Sequence, residues 1–182
     1  MAPTPAPSYS VVNKPIRRVE GFGKVSGSAS YTADVDLPGM VWGKNVRSPH
    51  PHARIVSIDV SHTLALPGVL AVITAADLVN IPSGRNIKDV PLLCGDRVRF
   101  VGDRVAAVAA ESREAAEAAA LLVDVEYELL PPVFDPLEAM KPGAPVLHPA
   151  PREYIGFPEE VPDDIPNVCG YAVWDRGDLS EG

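Results

Sequence analysis

Two imidazoles one residue apart, His50 and His52 in the run Ser48-Pro49-His50-Pro51-His52, are the side chains of this sequence best suited by type to bind a ligand. A neutral imidazole nitrogen near pH 7 suits zinc, copper or nickel. A stable site takes three or four ligands, and no third Cys, Asp or Glu stands at a convincing spacing. The pair is therefore expected to be a structural turn whose rings bond to backbone. The alternative is a free-standing metal- or ligand-binding module using the His50/His52 loop. Pro49 and Pro51 fix their own φ angles and push Ser48 and His50 toward extended backbone, so the connection should be stiff, non-helical and exposed.

Other candidates are weaker. Asp34 and Asp36 are the nearest approach to paired carboxylates, but no acid-tuning pocket is evident and they are expected at a turn and a strand end. Gly21, Gly23 and Gly27 have the look of a phosphate loop, yet no apolar strand precedes them and no amphipathic helix is expected to follow. Turns before a strand around Ser28 to Ala33 explain them better. Cys94 and Cys169 form no CxxC or cluster and read as two reduced thiols. There is no GxSxG elbow, no HExxH and no Walker loop. No residue is assigned a catalytic, cofactor-binding or metal-ligating role, and an autonomous hydrolase is disfavoured because no nucleophile and base pair can be named.

The elements around these residues are legible. Val41 to Val46 and Ile55 to Ile58 flank the His loop as short strands. Next come a helix beginning at a capping Ser61, the strand Val69-Leu70-Ala71-Val72-Ile73-Thr74, and loops from 75 to 103 with a strand near Val98 to Val101. The clearest pattern is the strand Val105 to Ala110, a helix capped by Ser112 with Ala115, Ala119 and Leu122 on one face, and an alternating strand through Val123, Val125 and Tyr127. These orders predict two βαβ units with right-handed crossovers and a mixed sheet, an α/β (α+β mixed) fold. Pro136 should open a short helix over 135–140, and Asn167 to Trp174 reads as a last strand.

Composition bounds the rest. With 182 residues the chain can build one real core. Residues 1–100 hold 11 Lys and Arg against 7 Asp and Glu, and residues 101–182 hold 5 against 17, for a net charge of −8. Nucleic-acid binding is disfavoured, and no apolar run approaches a membrane span. The expected organisation is a mobile tail over 1–14, a body over 15–140, and a Pro-rich extended segment with a final strand over 141–182. A soluble, cytoplasmic protein is expected.

In order along the chain stand Gly23-Lys24-Val25-Ser26-Gly27, Tyr31-Thr32-Ala33-Asp34, Leu37-Pro38-Gly39-Met40, Arg47-Ser48-Pro49-His50, His52-Ala53-Arg54-Ile55, Leu66-Pro67-Gly68-Val69, Val101-Gly102-Asp103 and Val125-Glu126-Tyr127-Glu128. This collinear series resembles the N-terminal a/b hammerhead domain of the large, molybdenum-binding subunit of the xanthine dehydrogenase and aldehyde oxidase family. The resemblance covers roughly residues 15–182. It implies an oxidoreductase of the molybdenum hydroxylase type, acting on aldehydes or N-heterocycles. Molybdopterin, iron-sulfur clusters and FAD are implied for the full complex, with none bound by this chain alone. The implied partners are the molybdopterin-binding large-subunit domains and the iron-sulfur and FAD subunits or domains. The family's catalytic machinery is expected beyond Gly177-Asp178-Leu179-Ser180-Glu181-Gly182, so this chain is expected to be a non-catalytic scaffold or interface domain.

Overall fold

The computed structural model describes residues 9–12, 14–79, 83–174, 176 and 177. Two compact units divide the chain, Met1–Met40 and Val41–Gly182. The expected tail over 1–14 falls largely outside the described residues.

In the first unit, Gly21–Ser26 forms a helix, α1, where turns were expected. Glu20 pairs with Arg18 at 3.2 Å and Lys24 at 3.5 Å across its start, and Gly27 ends it at φ 75°, a left-handed conformation that glycine adopts without steric cost. The strand expected over Ser28 to Ala33 is absent. An Asp34 carboxylate oxygen accepts from the Tyr31 N–H at 2.9 Å and closes a 3₁₀ turn over Thr32–Asp34, so Asp34 is a turn residue as expected.

Among the described residues the second unit carries six strands in two three-stranded sheets. Strands β1 (Trp42–Arg47), β5 (Arg104–Ala110) and β3 (Val69–Thr74) make the first, in the order β1-β5-β3. Strands β4 (Arg97–Val98), β2 (Ala53–Asp59) and β6 (Asp124–Leu129) make the second, in the order β4-β2-β6. Every strand pair is antiparallel.

This corrects the expected mixed sheet and the two crossover units. The strand–helix–strand order is present, but each helix hands the chain from one sheet to the other. Length explains it. The helix after β2, α2, has only the four residues Ser61–Leu64, and the one after β5, α3, has the eight of Arg113–Ala120. Eight helical residues rise about 12 Å, whereas a seven-residue strand such as β5 runs about 23 Å. Neither helix can carry the chain back along its strand for a parallel return.

Side-chain caps set the starts of α3 and of the short helix after β6. Ser112 Oγ accepts from the Ala115 N–H at 3.1 Å, as expected. At α2 the N-cap position is Val60, not Ser61, and carries no side-chain cap; an Asp59 oxygen accepts from the Ser61 N–H at 2.8 Å just before the helix, and that bond holds the Asp59 carboxyl below its ordinary range. Asp135 likewise accepts from Leu137 and Glu138 at 2.7 and 3.1 Å and starts α4 (Pro136–Ala139) with proline in its first turn. No strand forms over Asn167 to Trp174, where Tyr171, Val173 and Trp174 stay exposed.

Strand β5 is the centre of the packing. Lys44 lies opposite Val108 in the ladder and reaches Glu117 of α3 at 3.2 Å, so the face bearing Ala106, Val108 and Ala110 is the one α3 covers. The helix meets it with Ala116 and Ala119, both buried, and not with the expected Leu122, which lies past its end and is exposed. On the other face Val105 joins Ala53, Ile55, Cys94 and Val98 in the core, with Ile58, Val125 and Tyr127 packed against them. The apolar face of β6 therefore meets this core between the sheets, where a helix was expected.

Small side chains permit the close approach of α3, so enlarging one should be costly. Ala119→Leu is expected to destabilise by about 1–3 kcal/mol through overpacking, and Ser112→Ala by about 1 kcal/mol through loss of the cap. Urea unfolding measures both, and a neutral Ala119→Leu would refute this packing.

Candidate functional site

The Ser48–His52 loop carries the chain from β1 to β2, and thus from one sheet to the other. Its two ends are withdrawn from solvent, contrary to expectation, while Pro49 between them stays exposed. Ser48 is 2% and His52 4% exposed. Three sets of hydrogen bonds pull it in. Ser48 N–H donates to the Asp103 carbonyl at 2.8 Å, and Gly102 N–H donates back to the Ser48 carbonyl at 2.8 Å. Arg47 Nη1 donates to the Gly102 carbonyl at 2.8 Å, across a turn where Gly102 has φ 97°. Ser48 Oγ accepts from the His50 N–H at 3.0 Å, which closes the loop on itself.

The two imidazoles do not converge. His52 Nδ1 lies 2.8 Å from the Pro131 carbonyl, which only accepts, so this nitrogen carries the proton. That fixes the tautomer and leaves Nε2 buried as an acceptor without a partner among the described residues. His50 sets its ring edge-on to Tyr127, with centroids 4.9 Å apart and planes at 75°. Among the described residues no group of three His, Cys, Asp or Glu is placed to hold a metal ion.

Beside the loop lie three groups that sequence reasoning passed over or left as bystanders. Asp103 is 6% exposed, and its two carboxylate oxygens accept from the Arg104 and Arg99 N–H groups, each at 3.1 Å. Cys94 is fully buried next to it. Burial first, and then the Asp103 carboxylate, push the Cys94 thiol up to about 12. At neutral pH it is a protonated thiol and no nucleophile. Tyr127 is half-buried, and burial raises its phenol while the Ser48 hydroxyl opposes the rise. The Gly-Asp pair at 102–103 was the available signal, since Asp after a turn glycine commonly bonds nearby backbone. What the cluster can do chemically is hold a sheet-to-sheet connection rigid.

The second concentration of polar groups organises the Pro-rich segment. Arg152 donates to Asp163 at 2.9 and 2.7 Å, to the Val161 carbonyl at 2.7 Å, and to the Glu159 and Pro158 carbonyls at 3.3 and 3.4 Å. Its guanidinium also lies 5.5 Å from the Phe157 ring centre. Asn167, at φ 59°, donates to the Ala139 and Pro145 carbonyls at 3.0 and 2.9 Å and accepts from the Leu147 N–H at 2.9 Å. Between these clamps is a cavity of about 700 Å³ bordered by Val146, His148, Phe157, Val161 and Ile165. Half-buried His148 contacts the Tyr154 hydroxyl at 3.0 Å, and burial, aided by Arg99, lowers its pKa.

Comparison with known proteins gives this architecture its place. The family described as "Aldehyde oxidase and xanthine dehydrogenase, a/b hammerhead domain" matches residues 26–131. The chain is 41% identical over 174 residues to a probable xanthine dehydrogenase subunit of Bacillus subtilis (strain 168), covering 94% of this chain and 21% of that one. It is 47% identical over 139 residues to the carbon monoxide dehydrogenase large chain of Afipia carboxidovorans, covering 72% and 17%. Among solved structures, the aldehyde oxidoreductase of Desulfovibrio gigas superposes with a TM-score of 0.67 at 32% identity, over 72% of this chain and 16% of that one. The chain thus belongs to the aldehyde oxidase and xanthine dehydrogenase a/b hammerhead family. It spans about a fifth of the length of the curated relatives it matches.

Two measurements check the site. Thiol titration of the native protein should count one fast thiol, the exposed Cys169, and two after denaturation; two fast thiols in the native state would contradict the buried Cys94. For His148 the folded pKa lies below the unfolded one, so the unfolded chain binds more protons and stability falls as pH drops through and below about 6.5. The urea midpoint should fall between pH 7 and 5, and His148→Gln should flatten that slope.

Proposed function

We propose that the chain is a non-catalytic scaffold and interface domain in the large subunit of a molybdopterin-dependent hydroxylase. In this reading residues 15–140 form the hammerhead body and residues 141–182 extend toward the domains that hold the cofactor. The assembled enzyme oxidises aldehydes or N-heterocycles in the cytoplasm, with iron-sulfur clusters and FAD on partner domains or subunits. The molybdenum centre supplies the hydroxylation chemistry from residues outside this chain.

The observation that carries the proposal is the apolar surface after β6. Phe134 is 82%, Leu137 71% and Trp174 93% exposed, and Leu129 and Tyr171 are exposed with them. Single exposed apolar residues are ordinary, but a succession of large ones along a clamped, irregular segment is the surface of a docking domain. The polar groups of the His loop and of the Pro-rich segment support the same reading, because they are spent on holding those loops. No described helix is long and apolar enough to cross a membrane.

Purification of the tagged chain from its own source tests this. The expected result is a native assembly in which a larger chain and molybdenum accompany the tag. Recovery of the chain alone and free of molybdenum would refute the proposal.

A further inference from the structure

Strand β3 lies at the outside of its sheet, in the order β1-β5-β3. Its two ends are closed. The Val69 N–H donates to the Leu66 carbonyl at 3.2 Å, and the Thr74 N–H donates to Asp77 at 2.8 Å. Between them, Leu70, Ala71, Val72 and Ile73 make no backbone hydrogen bond outside the sheet among the described residues. Leu70 is 53% and Ile73 40% exposed.

The other outer strands carry the features that keep a sheet edge from pairing. Lys44 and Arg47 stand on β1, Asp124, Glu126 and Glu128 on β6, and β4 is only two residues long. Strand β3, Val-Leu-Ala-Val-Ile-Thr, has no charge and no proline. An apolar edge left without such guards invites another strand, and in a working protein it is covered.

We propose that the edge of β3 from Leu70 to Ile73 receives an added strand from the cofactor-holding part of the hydroxylase. This inference rests on the function proposed above. The occupant is an extended segment with alternating apolar side chains, held by main-chain hydrogen bonds. A second copy of the chain fits less well. The irregularity between Val69 and Ala71 leaves four regular residues, and so short a ladder buries far less than the about 1,000 Å² that a specific interface needs. Two copies of net charge −8 also repel. A partner that covers Phe134 and Leu137 as well supplies the missing area.

Hydrogen exchange on the native assembly and on the isolated chain tests the edge. In the assembly the outward-facing amides among Leu70 to Ile73, those that do not already donate to β5, should exchange at least tenfold more slowly. The double variant Leu70→Lys, Ile73→Lys should retain its circular dichroism and melting temperature while recovering at least tenfold less molybdenum-bearing partner. Val56→Lys, an equally exposed apolar position on β2, should recover the wild-type amount. Unchanged exchange in an assembly that does form would overturn this inference and leave the scaffold role standing. Failure of any molybdenum-bearing assembly to form would overturn both. Protection in a species with the mass of two copies would overturn the choice of occupant.

Discussion

Strand β5 has to satisfy neighbours on all four sides at once. Its backbone bonds to β1 on one edge and β3 on the other, while α3 lies on one face and Val105 enters the core shared with the second sheet on the other. Only small or compact apolar side chains meet these demands together, and Val105-Ala106-Ala107-Val108-Ala109-Ala110 supplies them. Alanine brings little hydrophobic area per residue. Its contribution is close approach, which lets a short helix with Ala116 and Ala119 lie against the sheet. The placement of the other elements follows from that contact.

The polar cluster at the Ser48–His52 loop serves the same constraint. The chain leaves β1 and must enter the other sheet within five residues. Two prolines limit the backbone, Asp103 gathers the N–H groups of the opposing turn, and His52 bonds to the backbone after β6. Groups that look reactive in isolation are thereby occupied or withdrawn: the Cys94 thiol stays protonated, and the two imidazoles face different partners. In the proposed reading, a domain so constructed contributes shape and position and leaves its unguarded apolar surface for another body.

Much of this was legible in the sequence, for physical reasons that differ by element. The Ser112 cap, the strand at Val105, the alternation through Val125 and Tyr127 and the Pro136 helix start depend on local chemistry, and the structure contains each. Whether a strand returns to the same sheet depends on helix length against strand length, and the alternation of apolar residues is identical in both cases. Exposure of the His loop was misjudged because its burial comes from residues about fifty positions away, Gly102 and Asp103. The roles of Arg152 and Asn167 were illegible for the same reason, since an arginine among prolines carries no local sign of the carbonyls it will gather. Family membership was readable from the ordered series of short motifs.

In the proposed reading this chain is a positioning domain for a molybdenum centre held by other residues. A graft tests this, in which the matching residues of this chain replace their counterpart in the xanthine dehydrogenase molybdenum-binding subunit of Escherichia coli O157:H7 and molybdenum content is determined in the purified assembly. A folded chimera that retains the molybdenum of the parent is expected. A chimera that folds and assembles yet carries no molybdenum would contradict it, because the segment would then be making a contribution to the centre that a scaffold does not make.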